Sequence, residues 1–363
     1  MSKMALVLQG GGALGAYEVG VVSKLVDMGW QPVVVTGVSI GAVNAAAIAG
    51  ARNGDINASL DAVWNAITLP TLPYWPANMQ GGLSLLGNPH FWRNRSDYLQ
   101  LPTWDSLCDP SPMVATLERC LDFGQINDST HMRVAVTATS LQTGGPTTFS
   151  NYLAPHAHRH AASLQALQRT LTPAHIMASG ALPPGFPPVT IDDCAYWDGG
   201  LFSNTPLDAL LNMLQPDEID SLPIFTVDLF TTRNLPLPAN LLEVHTRALA
   251  LQYENRFWAE YGGEAGPDGF AAMLRQLERE LPADSTLRQD PAGHPDNHAA
   301  SAWQWLQRLR ALANVHVIEG APAAAGGGAD FSAYAVGAAY EAGRTAAGRF
   351  APSTTEPRLR AVA

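Results

Sequence analysis

Ser39 lies in Gly37-Val-Ser-Ile-Gly41, between an apolar run, Pro32 to Val35, and an alanine-rich segment that starts at Ala42. A strand, a sharp turn and a helix are therefore expected, and Gly-x-Ser-x-Gly at such a turn is a nucleophile elbow. Gly37 and Gly41 remove side chains that would clash there, and the serine Oγ is held out beyond the strand end. Taken alone, the pentapeptide also fits, less well, an ordinary strand-to-helix turn with Ser39 as its N-cap. A second glycine cluster, Gly10-Gly-Gly-Ala-Leu-Gly15, follows the apolar run Ala5 to Gln9. Gly10, Gly12 and Gly15 fit the dinucleotide-binding pattern, but the next strand ends Val34-Val35-Thr36, where that pattern needs a carboxylate for the ribose. In a serine hydrolase the same turn has another use: the backbone N–H groups of Gly10, Gly11 and Gly12, at a helix start beside the elbow, form an oxyanion hole. The outstanding carboxylate is Asp198 in Trp197-Asp-Gly-Gly-Leu201, where Gly199 and Gly200 permit close backbone approach.

Positioning these groups requires β-turn-α units, and the apolar periodicity supplies them. The pattern predicts strands at 5–9, 32–36, 132–138, 147–149, 223–228 and 315–318. Helices are predicted after each glycine turn, from Pro206, over 241–258, 268–281 and 300–312, and from Asp330 onward. Between Leu69 and Pro112 the periodicity lapses into a segment rich in proline, glycine and aromatics (Tyr74, Trp75, Phe91, Trp92, Tyr98, Trp104). It reads as an insertion that either lines an acyl pocket as a lid or packs on the domain.

Composition narrows the function. The chain has 363 residues, 47% hydrophobic and 15% charged, with 21 Lys and Arg against 32 Asp and Glu, for a formal net charge of −11. A globular fold follows, and nucleic acid is excluded as an expected partner because no basic stripe exists to neutralise phosphates. Cys108, Cys120 and Cys194 lack zinc or disulfide spacing, and His156, His158 and His160 lack ligand partners, so no metal and no cofactor are expected. No apolar run reaches signal-peptide or membrane-span length, which points to a cytoplasmic location.

The three glycine-bearing motifs, in this order, resemble the patatin-like phospholipase family. The resemblance extends to Ala178-Ser-Gly-Ala-Leu-Pro-Pro with Phe186 and Pro187, to Asn204-Thr-Pro, and to the Asp330-Phe-Ser helix. It implies a three-layer α/β/α fold with a mainly parallel sheet, a catalytic core over 1–230 with the insertion at 69–112, and a C-terminal extension over 231–363 like that of a bacterial subgroup. It also implies a Ser39–Asp198 dyad that hydrolyses lipid or other hydrophobic acyl esters through an acyl-enzyme, with transient contact with a lipid surface. Leu14 departs from the basic residue that many members carry there, which removes a side chain but no backbone donor. Two alternatives stand beside this reading: a catalytically weak lipid- or acyl-binding protein of the same fold, and an α/β-hydrolase triad of Ser39, Asp198 and His245. Only one strand precedes the elbow, which disfavours the triad.

Overall fold

The computed structural model describes the chain except for residues 72–73, 75, 77–83, 85, 154–164, 231–236, 255–265, 291–293, 295, 321–326 and 353–363. Two strands open it, β1 (Ser2–Leu8) and β2 (Trp30–Gly37), joined by a glycine turn and the helix Gly15–Asp27. The elbow helix Ile40–Ala49 and the helix Ile56–Ile67 follow. Within the insertion, β3 (Arg93–Asn94) and β4 (Cys108–Asp109) form a small antiparallel pair. The sheet resumes with β5 (Arg133–Ser140), β6 (Pro146–Ser150) and β7 (Gln165–Gln168), then β8 (Val189–Ile191) and β9 (Cys194–Asp198). Two late strands, β10 (Ile224–Asp228) and β11 (Val315–Glu319), complete it, and the helix Ala333–Ala347 comes last.

The main sheet runs β11-β10-β1-β2-β5-β6-β7, with β9 also paired to β5 and β8 to β9. From β11 to β5 every pairing is parallel. Parallel strands need both faces covered, and the alternation in β1 shows how this is met. Met4, Leu6 and Leu8 enter one hydrophobic cluster with the helices 15–27, 40–49 and 56–67, whereas Ala5 and Val7 enter a second with Leu207, Leu210, Leu274 and Leu312. Three layers, helix on sheet on helix, result. The helices 15–27 and 333–347 pack backbone to backbone: a Cβ on Gly20 would lie 1.9 Å from Tyr340 O, and one on Gly343 2.1 Å from Tyr17 O. The final helix therefore covers the first one directly.

The register of β5 is what builds the site. Its β2 edge is shared between two partners. Gly37, the last residue of β2, lies opposite Val136, while Asp198, the last residue of β9, lies opposite Ala138 from the antiparallel direction. Two strand ends thus meet head to head along one edge, one delivering the elbow and the other the carboxylate.

In the insertion, Phe91 and Trp92 pack edge-on or stacked with Phe186 and Phe331, and Phe331 stacks on Trp64. Trp104 lies under the Arg95 guanidinium, and Tyr74 is exposed. Trp75 and the side chain of Tyr98 lie outside the described residues. The helix expected over 241–258 is described over Leu241–Tyr253, and residues 255–258 lie outside the described set. No helix among the described residues is long and apolar enough to cross a membrane, and they hold no cluster of metal-ligating side chains.

Candidate active site

Ser39 begins the elbow helix with φ 55° and ψ −123°, a left-handed conformation that L-residues adopt only when their surroundings compel it. The compulsion is visible in the neighbouring glycines: a Cβ on Gly37 would lie 2.1 Å from Gly41 O, and one on Gly41 2.5 Å from Leu8 O. Ser39 is the N-cap residue by position, but its side chain makes no capping hydrogen bond. The Ser39 hydroxyl instead faces the Asp198 carboxyl, whose pKa it lowers.

Asp198 is 2% exposed and has no cationic partner among the described residues. Its Oδ1 accepts the Gly200 N–H at 2.7 Å. Burial pushes its pKa up to about 6, against the pull of the Ser39 hydroxyl and the Gly200 N–H. The aspartate is held in place through its backbone: its N–H donates to Ala181 O at 3.0 Å, and its carbonyl accepts the Thr139 hydroxyl at 2.9 Å. Gly199 must stay bare, since a Cβ there would lie 2.2 Å from Thr137 O on β5.

The segment 179–181 links the two halves. The Ser39 N–H donates to both Ser179 O and Ser179 Oγ at 3.1 Å, and Ser179 Oγ donates to Thr137 O at 2.6 Å. Ala181, two residues on, holds Asp198. One short turn therefore sets the spacing of nucleophile and carboxylate.

The glycine turn lies against Ser39, for a Cβ on Gly10 would approach Ser39 Cβ to 2.9 Å. Gly10 differs from its expected use. Its N–H donates to Asn204 Oδ1 at 3.1 Å, while Asn204 Nδ2 donates back to Gly10 O at 3.0 Å, so Gly10 is an anchor rather than an open donor. The N–H groups of Gly11 and Gly12 donate to no described residue. Asn204 also donates to Tyr253 O at 3.3 Å, joining the helix Leu241–Tyr253 to the site.

No described histidine side chain hydrogen-bonds to Ser39 or Asp198. The side chain of His245, and all of His156, His158 and His160, lie outside the described residues. Asn204, Ser179 and Thr139 carry no role in the sequence reading. The first two stand in segments that reading quotes, Asn204-Thr-Pro and Ala178-Ser-Gly, but a hydrogen-bond partner 140 or 194 residues away leaves no local mark.

A family model described as patatin-like phospholipase matches residues 6–211, which hold the glycine turn, the elbow and the Asp-Gly motif. The chain belongs to the patatin-like phospholipase family. The matched residues end with the helix Leu207–Leu211. Among solved structures the chain is similar to VipD from Legionella pneumophila, with 14% identity and a TM-score of 0.39, over 95% of this chain and 66% of that one. It thus spans slightly less than two thirds of the length of VipD. A search of curated proteins gives no match.

Proposed function

We propose that this patatin-like protein is a serine acyl-ester hydrolase with a histidine-free Ser39–Asp198 dyad. The observation that carries the reading is the placement of the strained Ser39 beside a buried carboxyl whose pKa burial raises to about 6 and the Ser39 hydroxyl pulls back down. A base must be ionised at working pH yet basic enough to take a proton, and burial moves Asp198 in that direction. Ser39 Oγ attacks the ester carbonyl carbon as its proton passes to Asp198. The N–H groups of Gly11 and Gly12 stabilise the negative oxygen of the tetrahedral intermediate. Collapse breaks the bond to the alcohol, which leaves with the proton from Asp198, and the acyl group remains on Ser39. Water then attacks the acyl-enzyme, giving a proton to Asp198, and the acid departs as Ser39 recovers its proton.

Hydrophobic acyl esters, lipids among them, are the substrate class, and contact with a lipid surface is transient. The test is labelling with a fluorophosphonate, which mimics the tetrahedral state. Labelling of the parent that disappears in Ser39→Ala and falls sharply in Asp198→Asn supports the dyad. A folded parent that takes no label contradicts it and favours an acyl-binding protein.

A further inference from the structure

Glu18 is a second buried carboxyl, 0% exposed, on the helix that leaves the glycine turn. Its Oε1 accepts the backbone N–H of Gln9 at 2.7 Å, the residue immediately before the turn. Its Oε2 accepts Asn44 Nδ2 at 2.9 Å, from the elbow helix that Ser39 begins. We propose that Glu18 is a positioning residue for acyl transfer, clasping the entry and exit of the glycine turn and tying both to the helix of the nucleophile. The proposal rests on the hydrolase reading above for its catalytic consequence, but the clasp itself is geometric.

Both donors have fixed orientations. Gln9 is held from the side-chain end as well: Nε2 donates to Thr205 Oγ1 at 2.7 Å, and Oε1 accepts the Leu229 N–H at 2.8 Å. Asn44 cannot turn its amide over, because Trp64 Nε1 donates to Oδ1 at 2.8 Å while Nδ2 also donates to Gly15 O at 3.1 Å. The position therefore demands an acceptor at each end. A carboxyl keeps an acceptor lone pair on both oxygens in either protonation state, whereas an amide offers an acceptor at one end only. Burial without a cation raises the Glu18 pKa to about 8, and the two N–H donors oppose the rise. An uncompensated buried carboxyl is costly to keep, and its partners lie in the two elements whose relative placement sets the oxyanion hole against the nucleophile.

The isosteric Glu18→Gln sets an N–H of the introduced amide against one of the two donors. Its expected effect is a fall in kcat on a soluble p-nitrophenyl ester of about tenfold or more, with KM within about twofold, because the loss falls on the transition state. Amide hydrogen exchange over residues 9–14 should accelerate at the same time. Combining Glu18→Gln with Asn44→Asp turns the second contact into an amide donor facing a buried carboxyl oxygen, whose own proton keeps the bond to Gly15 O. That double variant should restore slow exchange and bring kcat to within about threefold of the parent.

Unchanged exchange and kcat in Glu18→Gln would overturn the proposal. So would a folded double variant that keeps the low kcat. Should Glu18→Gln fail to fold, comparing the double variant with the parent decides the matter by the same two readouts. A parent lacking turnover that depends on Ser39 removes the hydrolase reading instead, while the exchange comparison still reports whether Glu18 holds the turn.

Discussion

Asp198 and Glu18 are both buried carboxyls without a cationic partner, yet their surroundings give them different work. Asp198 ends a strand, accepts one backbone N–H, and has the Ser39 hydroxyl as its other named partner. Glu18 sits inside a helix pair with an N–H donor fixed on each oxygen. Burial raises both pKa values, but only Asp198 faces a group whose proton it can take and return. Desolvation alone therefore does not mark a base. A basic carboxyl becomes a catalytic one when its partner is a nucleophile, and a clasp when its partners are backbone and amide donors.

Substitution can break this comparison, and the largest effect belongs to the reacting groups. Ser39→Ala should reduce ester turnover to background, and Asp198→Asn by about a thousandfold or more, measured on a soluble chromogenic ester. Retention of even a tenth of parental turnover in Asp198→Asn would place the base elsewhere.

The same acid-to-amide change should act on stability with opposite signs at the two sites near pH 4.5. An asparagine at 198 can accept from Gly200 and donate to the Ser39 hydroxyl, and it carries no buried charge. Asp198→Asn should therefore stabilise the fold near pH 7 by about 1–3 kcal/mol. The sign follows from the raised pKa. Above about pH 6 the folded protein carries the cost of a desolvated charge, and that cost fades as pH falls from 6 toward the ordinary aspartate value of 3.8. The Asp198→Asn advantage should shrink over the same window. Glu18→Gln should instead destabilise by about 1–3 kcal/mol at pH 4.5, since a buried donor loses its acceptor, and by less at pH 7, where the amide also relieves the cost of the raised Glu18 pKa. Denaturant titrations of both variants at pH 7 and pH 4.5 check the pair of signs.

The smallest effect concerns the elbow backbone. Ser39→Gly should be more stable than Ser39→Ala by about 1 kcal/mol, because φ 55° strains alanine and not glycine. Equal melting temperatures for the two variants would show that the elbow stores no such strain.

How much of this the sequence discloses depends on where each partner lies along the chain. Ser39, Gly37, Gly41 and Asp198 are legible because the chemistry and the backbone constraint fall within five consecutive residues. The parallel strands are legible because both faces are buried and their runs are nearly all apolar. The antiparallel approach of β9 to the upper half of β5 is not, since its register depends on residues about 59 apart, as between Thr139 and Asp198. Glu18 is hidden for a related reason. At the fourth position of its helix it looks like a first-turn acid favoured by the helix dipole. The local hint is composition: Tyr17, Val19, Val21 and Val22 surround it, all buried in the structure. Gly10 shows the reverse error: its motif suggests a free donor, but Asn204 from far along the chain takes its N–H.

The pH dependence of kcat/KM for a soluble ester between pH 4 and 8, in the parent and in His245→Ala, tests the histidine-free dyad most directly. Activity requires ionised Asp198, so it should rise with pH along a single limb centred near 6, and His245→Ala should leave that limb in place. A limb that disappears in His245→Ala, with turnover lost, would show that a histidine takes the Ser39 proton and would contradict the account.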